Sequence, residues 1–266
     1  MARSSLAEIE GLTTAQLLAA VDDTNEAPWM TMPEFQFYLI QALVGILQLH
    51  ASRQGLGWHV TGELGVRMPK PEGQGTLTLG PDLFVVEADE GWRTTWDISA
   101  EGQPPRFVLE VVTQDSAERD TEPEQKVGYY AAMGVEEYAI YWPYRADGGP
   151  KLFGYRRDDA GQWVPWATDA QDVLWSRALG GLGLVVTEAP WLRVVDRRGQ
   201  LLPSLPEEAD ARLLADARAE REAARAAREA ERAEHEAERA EREAAARRAA
   251  EAEVARLRAL LEGKQE

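Results

Sequence analysis

Three side chains of types that can do chemistry sit in telling surroundings: Asp82, Glu110 and Lys126. Carboxylates and an amine can hold cations, move protons or steady the charge of a phosphate. Glu110 interrupts the apolar run Phe107-Val-Leu-Glu-Val-Val112, and strand alternation puts it on the face of Val108 and Val112. Burying an unpaired carboxylate is costly, so something must compensate Glu110. An ion pair with a lysine or arginine is the plainest means. Asp82 follows Pro81 at the head of the apolar segment Leu83–Val86, where an aspartate beside a strand-opening proline is also an ordinary turn residue. Lys126 falls on the helix predicted after Glu110. Each residue alone has a structural explanation, so the elements that carry them decide.

Composition removes several alternatives. With no cysteine, disulfides, thiolate nucleophiles and cysteine-built zinc sites are excluded. The three histidines, His50, His59 and His235, match no zinc-site spacing. Nine tryptophans and 44% hydrophobic residues in 266 suit a globular chain with ample core. Residues 1–205 hold 16 Lys and Arg against 29 Asp and Glu, a net −13, while residues 206–266 hold 13 against 17, a net −4. Non-specific nucleic-acid affinity rests on basic residues neutralising phosphates, so this balance argues against a general DNA coat protein. It leaves room for a site that meets DNA through a local basic patch and a bound cation. The start, MARSSLAEIEGL, has acids where a signal peptide needs an apolar run, and Leu39–Leu49 is too short and too interrupted to span a bilayer. The expectation is a cytoplasmic protein without a membrane partner.

Periodicity and punctuation give the elements. Residues 1–29 read as a short helix, Thr14 to Val21, and a polar linker. Thr31-x-x-Glu34 forms a capping box with Pro33 in the first turn, and Phe35, Leu39, Leu43, Ile46 and Leu49 recur at helical spacing. That helix should run to about Arg53 and stop before Gly55-Leu-Gly57. Next, Trp58–Val66 alternates, MPKPEGQG is a loop, and Thr76–Val86 is broken only by Gly80-Pro81. Phe107–Val112 reads as a strand covered on both faces. A second capping box, Thr121-x-x-Glu124 with Pro123, predicts a helix closed by Met133-Gly134. Tyr138–Trp142 is a strand, Asp147-Gly148-Gly149 a hairpin turn into Lys151–Tyr155, and further strands reach Trp191–Val195 before the Arg198-Gly199 turn. The predicted class is α/β, a sheet with helices packed on it.

From Glu207 the composition turns to Ala, Arg and Glu. Alanines at 219, 223, 226, 230, 233, 237, 240 and 244 alternate spacings of four and three, a heptad seam. Pairs such as Glu222–Arg225 and Glu229–Arg232 add support at i,i+3. A helix over 207–266 is predicted. Its alanine seam buries little area, so a solvated single helix, self-association and docking on a partner helix all remain open.

Asp82 after proline, Glu110 in a buried strand and Lys126 on the following helix resemble the PD-(D/E)XK nuclease superfamily. More narrowly, PPRFVLEVVTQDS followed by RDTEPEQKVGYYAAMGVEEYAIYWP is similar to the Uma-type family of putative restriction endonucleases. The resemblance covers residues 30–203. It implies a restriction-endonuclease-like core, a mixed central sheet flanked by helices, with the long C-terminal helix appended. It further implies that Asp82 and Glu110 bind Mg²⁺ (or Mn²⁺), with the Val111 carbonyl as a further ligand. Lys126 would orient the attacking water or stabilise the phosphate. One departure matters: the superfamily's lysine position two after the acid is Val112, so Lys126 must substitute, and the interval from Asp120 to Lys126 is stretched.

Secondary candidates have competing explanations. Glu34 could reach the site but is accounted for by the capping box, Asp120 could sit behind the ligands or cap a helix, and Gln125 adjoins Lys126. Asp115 reads as loop, and Trp92, Arg93 and Trp96 could edge a nucleic acid or simply pack. Three readings follow. The first is a Mg²⁺-dependent endonuclease acting on DNA. The second is a catalytically inactive nuclease fold that works as a binding or scaffold module through residues 207–266. The third makes Glu110–Lys126 merely a buried ion pair.

Overall fold

The computed structural model describes residues 34–70, 75–89, 91–113, 116–145 and 148–262. The helix expected at Thr14–Val21, the capping residue Thr31, and Asp115 and Asp147 lie outside them. Helix α1, Glu34–Gln54, buries Leu39, Ile40, Leu43, Ile46, Leu47 and Ala51 along one stripe. It ends where Gly55 takes a φ of 64° and the Leu56 N–H reaches back to the Ala51 carbonyl at 2.9 Å.

Among the described residues twelve strands follow, in three sheets: β1 Trp58–Thr61, β2 Val66–Pro69, β3 Thr76–Leu79, β4 Leu83–Glu87, β5 Trp96–Asp97, β6 Phe107–Val111, β7 Glu137–Trp142, β8 Lys151–Arg157, β9 Trp163–Ala167, β10 Val173–Trp175, β11 Gly183–Val186 and β12 Leu192–Val195. A short helix α2, Ile98–Glu101, follows β5. The central sheet has the order β1-β4-β6-β7-β8-β9. Only β6 and β7 are parallel in it, and the remaining neighbours are antiparallel. A parallel pair needs a crossover connection. Here it is α3 Ala117–Thr121, a π turn Pro123–Val127, and α4 Gly128–Met133.

The sheet separates two cores. Leu83 and Val85 of β4, with Phe107, Leu109 and Val111 of β6, face α1 and the β10–β12 sheet. Phe84, Val86, Val108 and Val112 face the crossover and the β2/β3/β5 sheet. Burial on both faces explains why β6 reads as a continuous apolar run. Helix α4 is buried at all six positions, which fits its sequence Gly-Tyr-Tyr-Ala-Ala-Met.

Three expectations change. Trp58–Val66 is not one strand: the chain turns through Gly62 and Glu63 (φ 54°), and β1 and β2 enter different sheets. Gly62 is needed there, since a Cβ would lie 2.8 Å from the Asp82 carbonyl oxygen. Met68 and Pro69 belong to strand β2, paired with Leu77 and Thr76, rather than to a loop. Thr121 ends a helix instead of starting one, and its hydroxyl donates back to the Ala117 carbonyl at 2.6 Å.

The chain divides into two compact units, residues 1–206 and 207–266. Helix α5, Leu205–Glu262, supplies the second, and its described side chains are almost all exposed. The ion pairs along it are chiefly i,i+4, as in Arg225–Glu229, Arg239–Glu243 and Arg247–Glu251. No helix among the described residues is long and apolar enough to cross a membrane.

Gly154 tests the central sheet. It lies opposite Ala139, and a Cβ there would come 2.1 Å from the Tyr138 carbonyl oxygen. Because that obstacle is backbone, Gly154→Ala should destabilise by about 3 kcal/mol or more, as overpacking with backbone shift does. Denaturant titration measures it, and a change within experimental error would show that β7 and β8 do not pair in this register.

Candidate active site

The site forms where strand ends meet the crossover. β4 begins at Leu83, opposite Leu109, so Asp82 lies one residue beyond the ladder at the level of Glu110. Even-numbered residues of both strands face the crossover side, which puts both acids toward Lys126. The Val111 N–H, past the end of β4, donates to Asp82 Oδ2 at 2.6 Å, so this carboxylate stands in for a missing ladder partner. Gln36 Nε2 of α1 donates to Asp82 Oδ1 at 2.8 Å.

Behind Asp82 lies a buried charge cluster. Lys126 Nζ is 2.9 Å from Glu110 Oε1 and 3.2 Å from Asp120 Oδ1, and all three side chains are about 3% exposed or less. The Tyr130 hydroxyl donates to Glu110 Oε1 at 2.5 Å, and the Tyr138 hydroxyl donates to the Asp120 carbonyl at 2.9 Å. The two tyrosine rings pack 4.7 Å apart. The π turn gives Lys126 its position: the backbone kinks at Gln125 (φ −110°, ψ −135°), and Tyr130 follows one helical turn later on the same side.

Burial pushes the Asp82 carboxyl up to about 6. Lys126 nearby, the Val111 N–H and the Gln36 amide all pull it back down, while Asp120 pushes it further up. Taken together, Asp82, Glu110 and Asp120 against Lys126 leave a surplus of two negative charges when all are ionised. Among the described residues no trio of histidines, aspartates and glutamates is arranged to hold a metal. Asp82 and Glu110 are the carboxylates here that could share a cation, and Mg²⁺ takes few carboxylates while keeping several of its waters.

The structure thus brings Asp82, Glu110 and Lys126 into one network and adds Asp120 to it. Glu34 sits exposed at the first turn of α1. Gln125 is half-buried at the kink, with its backbone N–H on the Glu122 carbonyl at 3.1 Å. Val111 presents its N–H to Asp82. Of the proposed nucleic-acid edge, Trp96 is buried and Arg93 is paired with Glu101 at 2.7 Å, leaving Trp92 exposed. Two members of the network, Gln36 and Tyr130, escape the sequence reading. Each had a signal: Gln36 is a polar residue on the buried stripe of α1, in phase with Leu39, Ile40 and Leu43, and Tyr130 lies four residues after Lys126.

The site thus sits in an α/β domain with a mixed sheet, where acids near two strand ends meet a lysine carried by the crossover. The chain belongs to the Uma2 family, described as putative restriction endonuclease, whose family model matches residues 24–187. A search of curated proteins gives no match. Among solved structures, a putative nuclease from Anabaena variabilis is similar, at 13% identity and a TM-score of 0.31, covering 53% of this chain and 84% of that one.

The raised Asp82 value has a stability consequence. The folded state holds this proton more tightly than the unfolded one between about pH 4 and about 6. Stability is therefore lost as pH rises through that window, opposite to a salt-bridged aspartate. Asp82→Asn can keep both contacts if the Gln36 amide turns over, and should stabilise the metal-free protein above pH 7 by about 1–3 kcal/mol while doing little at pH 4. Thermal melts of both proteins across pH measure this; an equal difference at all pH values would show that Asp82 does not titrate as described.

Proposed function

We propose that the protein is a Mg²⁺-dependent endonuclease that hydrolyses phosphodiester bonds of DNA. The observation that carries this reading is the surplus of buried negative charge around Asp82, Glu110 and Asp120, next to one lysine, at a strand end that reaches solvent through Asp82. A bound Mg²⁺ (or Mn²⁺) would make a water more acidic and offset the charge that builds on the phosphate.

The chain's own residues do the rest. Asp82 and Glu110 would hold the cation, and Tyr130 and the Val111 N–H fix their orientations. Lys126, shared between Glu110 and Asp120, would direct the attacking water or stabilise a phosphate oxygen. Water adds to phosphorus, the ester P–O bond breaks, and the leaving oxygen takes up a proton. The acidic first unit limits non-specific attraction to DNA, so encounter depends on the metal and on local positive groups.

Purified protein should nick supercoiled plasmid only with Mg²⁺ or Mn²⁺. Asp82→Ala or Glu110→Ala should each lower the rate at least about 100-fold, and Lys126→Ala comparably. Cleavage that survives in the Asp82/Glu110 double variant would rule out this site. Helix α5, exposed along most of its 58 residues, favours a second reading in which the fold is inactive and the helix recruits a partner. Sedimentation of a full chain that neither takes up Mn²⁺ nor cleaves DNA, yet self-associates, would favour that one.

A further inference from the structure

We propose that Gln36 is a working member of the metal site. Its side-chain carbonyl oxygen supplies a neutral ligand to the divalent cation, while its amide nitrogen orients Asp82. This rests on the metal-site reading above and extends it to a residue on a different element.

Gln36 is 8% exposed, on the stripe of α1 that otherwise buries Leu39, Ile40 and Leu43. Its Nε2 donates to Asp82 Oδ1 at 2.8 Å. An ionised carboxylate only accepts hydrogen bonds, so the amide must present its NH₂ to Asp82 and turn its oxygen the other way. That oxygen shares a carbon with Nε2 and so remains beside the carboxylate. It is buried and has no hydrogen-bond partner. Among the described residues, it is the one oxygen in the set of buried side-chain atoms lacking a partner; the others are nitrogens. A buried acceptor left unsatisfied carries a desolvation penalty, and a fold seldom keeps one without use.

The chemistry of the gap matches a hard cation. Mg²⁺ and Mn²⁺ accept carboxylate, amide carbonyl and water oxygens, and two carboxylates leave most of the coordination sphere open. A neutral oxygen adds a ligand without deepening the repulsion already present between Asp82, Glu110 and Asp120. A glutamate at the same position would add that repulsion to the metal-free protein.

The alternative is that Gln36 only holds Asp82 through its NH₂. Two substitutions separate the roles in the full-length chain. Gln36→Met keeps bulk and loses both functions, whereas Gln36→Glu keeps an oxygen ligand and loses the donor. Calorimetric titration with Mn²⁺ alone, together with melting temperatures with and without Mn²⁺, provides the readouts. Gln36→Met should weaken Mn²⁺ binding at least about tenfold. Gln36→Glu should bind as tightly as wild type or tighter, yet melt lower without metal.

Gln36→Met binding within about twofold of wild type would overturn the assignment, as would Gln36→Glu binding as weakly as Gln36→Met. The melts show whether each variant is folded. Should the wild type take up no Mn²⁺, or Asp82→Ala take it up unchanged, the metal-site reading itself fails and the role of Gln36 with it.

Discussion

The ammonium of Lys126, shut away from water between Glu110 and Asp120, is the constraint around which the first unit is arranged. A buried charge persists only if its partners are close and well oriented, and removing one partner of such a group costs several kcal/mol. Each partner comes from a different place: Glu110 from the middle of the central sheet, Asp120 from the short helix before the kink, Lys126 from the π turn itself. Holding them together fixes where the crossover lies on the sheet. Tyr130 and Tyr138 complete the arrangement by bonding to the Glu110 carboxylate and the Asp120 backbone.

Asp82 stands at the open side of this cluster and is held differently. Its contacts are a peptide N–H and an amide, neither carrying charge, so burial outweighs attraction and the carboxyl is pushed up to about 6. Such a group is a poor choice for stability once it is ionised. The two-sided core makes it tolerable. Apolar packing on both faces of β4 and β6 secures the strands from which these acids project. The site's unfavourable charge is thus confined to the place where the end of β4 meets the crossover.

Helix α5 obeys other rules. Its length and composition favour helix at nearly every position, and i,i+4 ion pairs add a few tenths of a kcal/mol each. Its regularity needs no core of its own. It shares no residue with the charge cluster, so a binding role for the helix and a chemical role for the site can be tested independently.

Much of this was legible in the sequence because it depends on local pattern. The apolar period of α1 gave its span to within a residue or so of the observed end, the apolar run around Glu110 gave a doubly covered strand, and the Ala/Glu/Arg tract gave a helix. Glu110 stood out because a lone acid in such a run demands a partner. What local pattern misjudged were features set by remote neighbours. The capping signal at Thr121 was overridden by the turn that delivers Lys126 to Glu110, and the alternation across Trp58–Val66 concealed a change of sheet. Sequence alone determined which residue types were present and, through hydrophobic period, which segments carry the apolar core. Only the tertiary structure decided that Asp120, Tyr130 and Gln36 join the two acids and the lysine. Hydrogen bonds and ion pairs depend on ångström-scale approach between elements far apart in the chain, which no local period encodes.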